Sequence, residues 1–157
     1  MHTYSISDIK KELKELSKEE LINKCMALAK YKKDNKEFLN YLIYEAHDPE
    51  TFVIGIKSEV DEHFRTITQP NLYLVKKSLR KILRIINKYA KYMGSKEKEA
   101  ELVIYFLTKL KNSGIPYHKN KVIVNLYNAQ LKRLNTVISA LHEDLQYDLK
   151  KEMEELV

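Results

Sequence analysis

Three prolines and three glycines are all that interrupt this chain of 157 residues, and four of the six (Pro49, Pro70, Gly94 and Gly114) stand a little over 20 residues apart. Between them apolar residues recur in steps of three and four, the period of a helix with one buried face. No alternating strand pattern competes. The β-like runs "LVIYFL" (Leu102 to Leu107) and "KVIVNLY" (Lys121 to Tyr127) both lie inside longer helical periodicities. The first reads as the middle of a central helix, covered by neighbours on most sides.

Local signals place the helix ends. "SKEEL" is a capping box with Ser17 at the N-cap and Glu20 three residues on, opening a stripe of Leu21, Ile22, Cys25, Leu28 and Ala29. "KKDNKEF" (Lys32 to Phe38) interrupts this helix, and the next carries Phe38, Leu39, Leu42, Ile43 and Ala46. In "HDPETF", Asp48 caps and Pro49 takes the first helical position, where its missing N–H costs nothing. The stripe that follows is Phe52, Val53, Ile56, Val60, Phe64 and Ile67, and Pro70 in "TQPNLYL" repeats the device. Gly94 closes one helix and Ser95 caps the next, which "NSGIPYH" ends. From about Lys119 the positions Leu126, Tyr127, Leu131, Leu134, Ile138, Leu141, Leu145, Leu149 and Met153 predict one long C-terminal helix of some 35 residues, with a bend near His142 as its variant.

The expected fold is therefore all-α, about six helices packed as antiparallel hairpins in a single domain, 1–157. A helix pair repeats in about 45 residues, the size of a HEAT or armadillo unit. Without residue-level self-similarity, a short HEAT-like curl and an irregular helical bundle stand equal. Residues 1–16 form a helix striped by Ile6, Ile9, Leu13 and Leu16, too short to persist unless docked. Residues 142–157 form an acidic helical extension, whose apolar stripe serves either the bundle or a homodimer through the C-terminal helix.

The stretches "LSKEELINK", "NLYLVKKSLRKILRIINKY", "YFLTKLKNSGIP" and "LHEDLQYDL" together resemble an uncharacterised bacterial all-helical domain family over most of the chain. The resemblance implies a helical fold and transfers no site.

Charge distribution gives the strongest functional pointer. From Tyr73 to Met93 there are seven Lys and Arg and no Asp or Glu. On a helical wheel Leu72, Val75, Leu79, Ile82, Leu83, Ile86, Ala90 and Met93 share one face. Lys77, Arg80, Arg84, Lys88 and Lys91 share the other with Tyr73, and Lys81 sits at its margin. The result is a cationic ridge roughly 27 Å long at 1.5 Å per residue. Like charges at i,i+4 repel by a few tenths of a kcal/mol per pair, and a face built only for solubility intersperses Glu. Arg80 and Arg84 also suit carboxylate or phosphate forks better than Lys.

The ridge is expected to bind an acidic protein surface in a non-enzymatic interaction or scaffold domain. The alternative is sequence-nonspecific nucleic-acid binding through phosphates. A third outcome is internal neutralisation by Glu97, Glu99 and Glu101 or by the acids of "HEDLQYDLKKEMEEL" (His142 to Leu156), within the fold or across a dimer. Stacking on bases would need exposed Tyr73, Tyr89 and Tyr92, the last two of which fall toward the apolar side.

Enzyme chemistry finds little support. The di-iron pattern Glu-x-x-His on two helices is absent; Glu59 with His63, and the cluster His142, Glu143, Asp144 and Asp148, are the nearest approaches to a site. A helical-bundle enzyme using His63 or His142 is the third choice. Isolated glycines make no phosphate cradle, and Cys25, on an apolar stripe, reads as a buried inert thiol. No cofactor is expected. The longest apolar run is far short of the roughly 20 residues that span a bilayer, and "MHTYSISDIKKELKEL" is no secretory leader, so no membrane partner and a cytoplasmic location are expected.

Overall fold

The computed structural model describes residues 3–67 and 71–157 and contains, among them, eight α-helices and no strand. The chain divides into two compact units, Met1–His47 and Asp48–Val157.

The first unit contains α1 (Ile6–Lys14), α2 (Lys18–Tyr31) and α3 (Lys33–Asn40), and α3 runs on into a single π turn, Tyr41–Glu45. Ser17 and Glu20 form the expected capping box, and Ser5 with Asp8 forms another at the start of α1. The break after α2 is narrower than "KKDNKEF" suggested. Lys32 alone is extended, α3 resumes at Lys33, and the Asn35 amide donates to the Leu28 carbonyl at 2.8 Å. α2 and α3 thus pack as a hairpin. In the π turn the Ala46 N–H bonds to the Tyr41 carbonyl five residues back, and Leu42, Ile43 and Tyr44 are all exposed. Tyr41 is the one buried apolar residue among the described residues of this unit.

The second unit holds the core. It comprises α4 (Pro49–Arg65), α5 (Leu72–Met93), α6 (Lys96–Asn112), a 3-10 turn (Tyr117–Lys119), α7 (Lys121–Ser139) and α8 (Glu143–Glu154). Asp48 caps α4 through a hydrogen bond from the Thr51 N–H at 3.1 Å, with Pro49 in the first turn as expected. Asn71 caps α5; the role assigned to Pro70 lies outside the described residues. Gly94 ends α5 at φ 60°, a left-handed conformation that glycine adopts without a Cβ penalty, and Ser95 caps α6.

Within this unit each helix packs on the next from α4 to α8, and α6 also packs on α4 and α8. That central place explains "LVIYFL". Leu102, Val103, Phe106, Leu107 and Leu110 are fully buried, because neighbours cover α6 on most sides. Phe106 meets Phe64 of α4 with ring centroids 5.9 Å apart.

The C-terminal half corrects the expectation of one 35-residue helix. α7 ends at Ser139, and α8 starts after an extended His142. The apolar stripe continues in phase across the break, so periodicity alone hides it. The break is stabilised locally: Gln146 Nε2 donates to the Leu141 carbonyl at 2.8 Å, and Glu143 and Asp144 occupy the first turn of α8, where the helix dipole favours them. Leu149 and Leu156 are buried in the core of the unit. The Tyr127 hydroxyl donates to the Leu156 carbonyl at 2.9 Å, fastening the C-terminal turn to α7.

Candidate anion-binding ridge

α5 buries one face completely. Val75, Leu79, Ile82, Leu83, Ile86 and Ala90 are buried, with Leu72 and Met93 half-buried at its ends, as the wheel required. The helix has nothing acidic along its length, and the opposite face is the ridge. Lys77, Arg80, Lys81, Arg84 and Lys91 are exposed, and Lys88 is half-buried with its ammonium 4.8 Å from the centre of the Tyr89 ring. Among the described residues, the side chains of Lys77, Arg80, Lys81, Arg84 and Lys91 form no ion pair or hydrogen bond.

The acids that might have neutralised the ridge are engaged or placed elsewhere. Glu99 accepts from Arg133 Nε and Nη2 of α7 at 3.0 and 2.9 Å and also pairs with Lys96. Glu101 pairs with Lys57 of α4 at 2.6 Å and with Lys98, which also reaches Glu50. Burial works against the charge of Glu99 and Glu101, yet hydrogen bonds from these cations outweigh it and hold both carboxyls below their ordinary value. On the same side of the unit, Asp61 accepts from the Tyr105 hydroxyl at 2.7 Å and pairs with Lys109 at 2.9 Å. Lys57 and Lys109 stand 5.2 and 5.3 Å from the centre of the Tyr105 ring. The acids of α8 (Glu143, Asp144, Asp148, Glu152 and Glu154) and the flanking Glu155 are exposed and pair with no ridge cation among the described residues.

Aromatic support is uneven. Tyr73 is 66% exposed at the N-terminal end of the ridge, with the Lys76 ammonium 5.0 Å from its ring centre. Tyr89 and Tyr92 are half-buried, and Tyr89 meets Phe52 edge to face at 5.4 Å.

The other candidate positions do not converge. His63 is half-buried on α4, His142 is exposed in the α7–α8 turn with Asp144 at 3.5 Å, and no group of three His, Cys, Asp or Glu among the described residues is placed to hold a metal ion. Cys25 is exposed, which corrects the expectation of a buried thiol. Its stripe does face α3, but the hairpin stays open as a groove lined by Cys25, Leu28, Ala29, Phe38, Leu39 and Leu42. No described helix is long and apolar enough to cross a membrane.

No family model matches the chain, and no curated protein or solved structure is significantly similar to it.

Proposed function

We propose that this protein is a non-enzymatic interaction domain whose α5 ridge, Lys77, Arg80, Lys81, Arg84, Lys88 and Lys91, binds an acidic protein surface. The observation that supports it is the exposure of a long single-sign face whose cations, Lys88 aside, form no ion pair among the described residues. Sustaining repulsion along a helix that nearby Glu residues could have relieved is hard to account for by solubility alone. Along the ridge Lys77, Arg80, Arg84, Lys88 and Lys91 recur every three or four residues, with Lys81 at the margin. A helix bearing carboxylates at the same spacing would meet it charge for charge, and Arg80 and Arg84 supply bidentate forks. The packing order also suits a short HEAT-like curl, with α4, α6 and α8 in one layer and α5 and α7, joined by the Arg133–Asn87 hydrogen bond, in the other. α5 would then present its ridge on an outer surface.

One observation favours a second reading, in which nucleic-acid phosphates occupy the ridge: the exposed ring of Tyr73 beside it, available to stack on a base. A single titration series separates the two. A labelled acidic helical peptide, a labelled random single strand and a labelled duplex are followed by fluorescence anisotropy at about 50 and 200 mM salt. The paired variant Arg80→Glu with Arg84→Glu serves as comparison. Peptide binding that the variant loses supports the first reading. Nucleic-acid binding that weakens about tenfold or more at the higher salt promotes the second. Absence of all binding at the lower salt refutes both.

A further inference from the structure

The acids at the C-terminal end of the chain are spaced as the ridge is. Asp144, Asp148 and Glu152 on α8, and Glu155 at its C-cap, follow one another at steps of four, four and three. Arg80, Arg84, Lys88 and Lys91 do the same on α5. At about 100° per residue each set of four covers roughly 80° of its helix circumference, and each extends over roughly 16 Å of helical rise. The two rows therefore match in step, width and length and are opposite in sign.

Both rows are open. Asp144, Asp148, Glu152 and Glu155 are exposed, and among the described residues their one ion pair is that of Asp144 with His142 at 3.5 Å, which carries charge only when His142 is protonated. From Glu143 to Glu155 there are six acids against two lysines; Lys151 stands at the margin of the row, and Lys150 donates to Gln146 Oε1 at 3.2 Å. Within one copy the rows do not meet. α5 and α8 belong to the same unit and each packs on α6, and no acid of α8 pairs with a ridge cation among the described residues. The apolar stripe of α8 is not available for association, because Leu149 and Leu156 are buried in the unit.

Spacing and sign together select the partner. Acids scattered over a surface meet one or two ridge cations, whereas a row with the same steps meets four at once. Read from Lys77 to Lys91 the ridge steps are three, four, four and three, the same in both directions, so the acidic row fits it parallel or antiparallel. In both registers Asp148 falls opposite Arg84. Arg80 then faces Asp144 in the parallel register and Glu152 in the antiparallel one, so each of the two guanidinium forks receives a carboxylate either way.

We infer that the ridge of one copy binds the row Asp144, Asp148, Glu152 and Glu155 of a second copy, so that the acidic partner of the ridge is the chain's own α8. The inference rests on the proposed reading of the ridge and names its partner. Each copy carries one surface of each kind, so the contact is head to tail and extends into chains unless its rotation closes a ring. Exposed ion pairs contribute little individually and are screened by salt. The association is therefore weak, reversible and confined to low ionic strength or high local concentration.

Sedimentation of the full chain from about 10 µM to 1 mM in about 50 mM salt should show an average mass rising above 18.6 kDa, and about 500 mM salt should restore the monomer. Arg80→Glu with Arg84→Glu reverses the ridge, and Asp148→Lys with Glu152→Lys reverses the row. Each paired variant alone should remain monomeric, with circular dichroism reporting its helices. An equal mixture of the two should associate again, because the first keeps its row and the second its ridge. Where a reversed row costs the fold, Asp148→Asn with Glu152→Gln removes the charge alone and should weaken association. A monomer at every concentration in low salt overturns the inference, and so does association that the folded row variant retains. The ridge reading is judged separately: a monomeric chain whose ridge still takes the acidic helical peptide loses α8 as partner and keeps the reading, whereas a ridge that takes neither loses both.

Discussion

Arg133 of α7 donates from both Nε and Nη2 to one oxygen of Glu99 on α6, at 3.0 and 2.9 Å, and this contact joins two helices whose apolar faces are already packed. Glu99 is largely shielded from water, so the pair is worth more than a surface ion pair and less than a fully buried one. Arg133→Ala should lower the unfolding free energy by about 1–2 kcal/mol, read from urea denaturation, and Arg133→Lys should recover only part of it because Lys lacks the fork.

Acid should remove the same contribution. The Glu99 carboxyl is opposed by burial but held below its ordinary 4.5 by Lys96 and Arg133, so its folded pKa lies below its unfolded one. A depressed carboxyl stabilises the fold at pH above the unfolded value and loses that contribution as pH falls through the folded value. The stability difference between the native chain and Glu99→Gln should thus be constant near neutrality and shrink below about pH 4.5. A difference that grows on acidification would reverse the sign and contradict the assignment.

Two glycines should respond to alanine in opposite directions. Gly94 has φ 60° with open space where a Cβ would go, so Gly94→Ala should destabilise by about 1–2 kcal/mol through backbone strain alone. Gly55 lies within α4, also with nothing within 4 Å of an added Cβ, and Gly55→Ala should stabilise by about 0.5–1 kcal/mol. Melting temperatures of the two variants beside the native chain decide both.

Reversing a ridge charge should strengthen the isolated fold. Arg84 has Arg80 and Lys88 at i−4 and i+4 and is exposed, so Arg84→Glu replaces two repulsions with two attractions of a few tenths of a kcal/mol each. A small rise in melting temperature at low salt, fading at high salt, is expected. A fall would mean that Arg84 makes a stabilising contact in solution.

Tyr127→Phe should loosen the C-terminus selectively. Its buried hydroxyl holds the Leu156 carbonyl, and deleting it leaves that acceptor without its partner, at a cost of about 1 kcal/mol. Amide exchange should speed up in α8 and change little in α6, whose helix is covered on most sides.

The sequence by itself determined which residues form helices, and often where they begin and end. The capping boxes, Asp48 before Pro49, and Gly94 before Ser95 are local devices, each satisfied by atoms within four residues, so no distant contact is needed to recognise them. It likewise determined the two faces of α5, because amphipathic spacing maps directly onto a wheel. What it could not decide is whether an apolar stripe finds a partner. Cys25 and Leu28 on α2 carry the same pattern as Val75 and Leu79 on α5, yet the first pair is exposed and the second buried. Burial belongs to the neighbour as much as to the stripe. The turn at Leu141 and His142 was hidden for a related reason: with the stripe in phase on both sides, the break rests on the Gln146 hydrogen bond and on core packing rather than on a Gly or Pro. The isolation of the ridge was also a tertiary outcome, since only the assembled helices direct Glu99 to Arg133 and Glu101 to Lys57, away from the cations of α5.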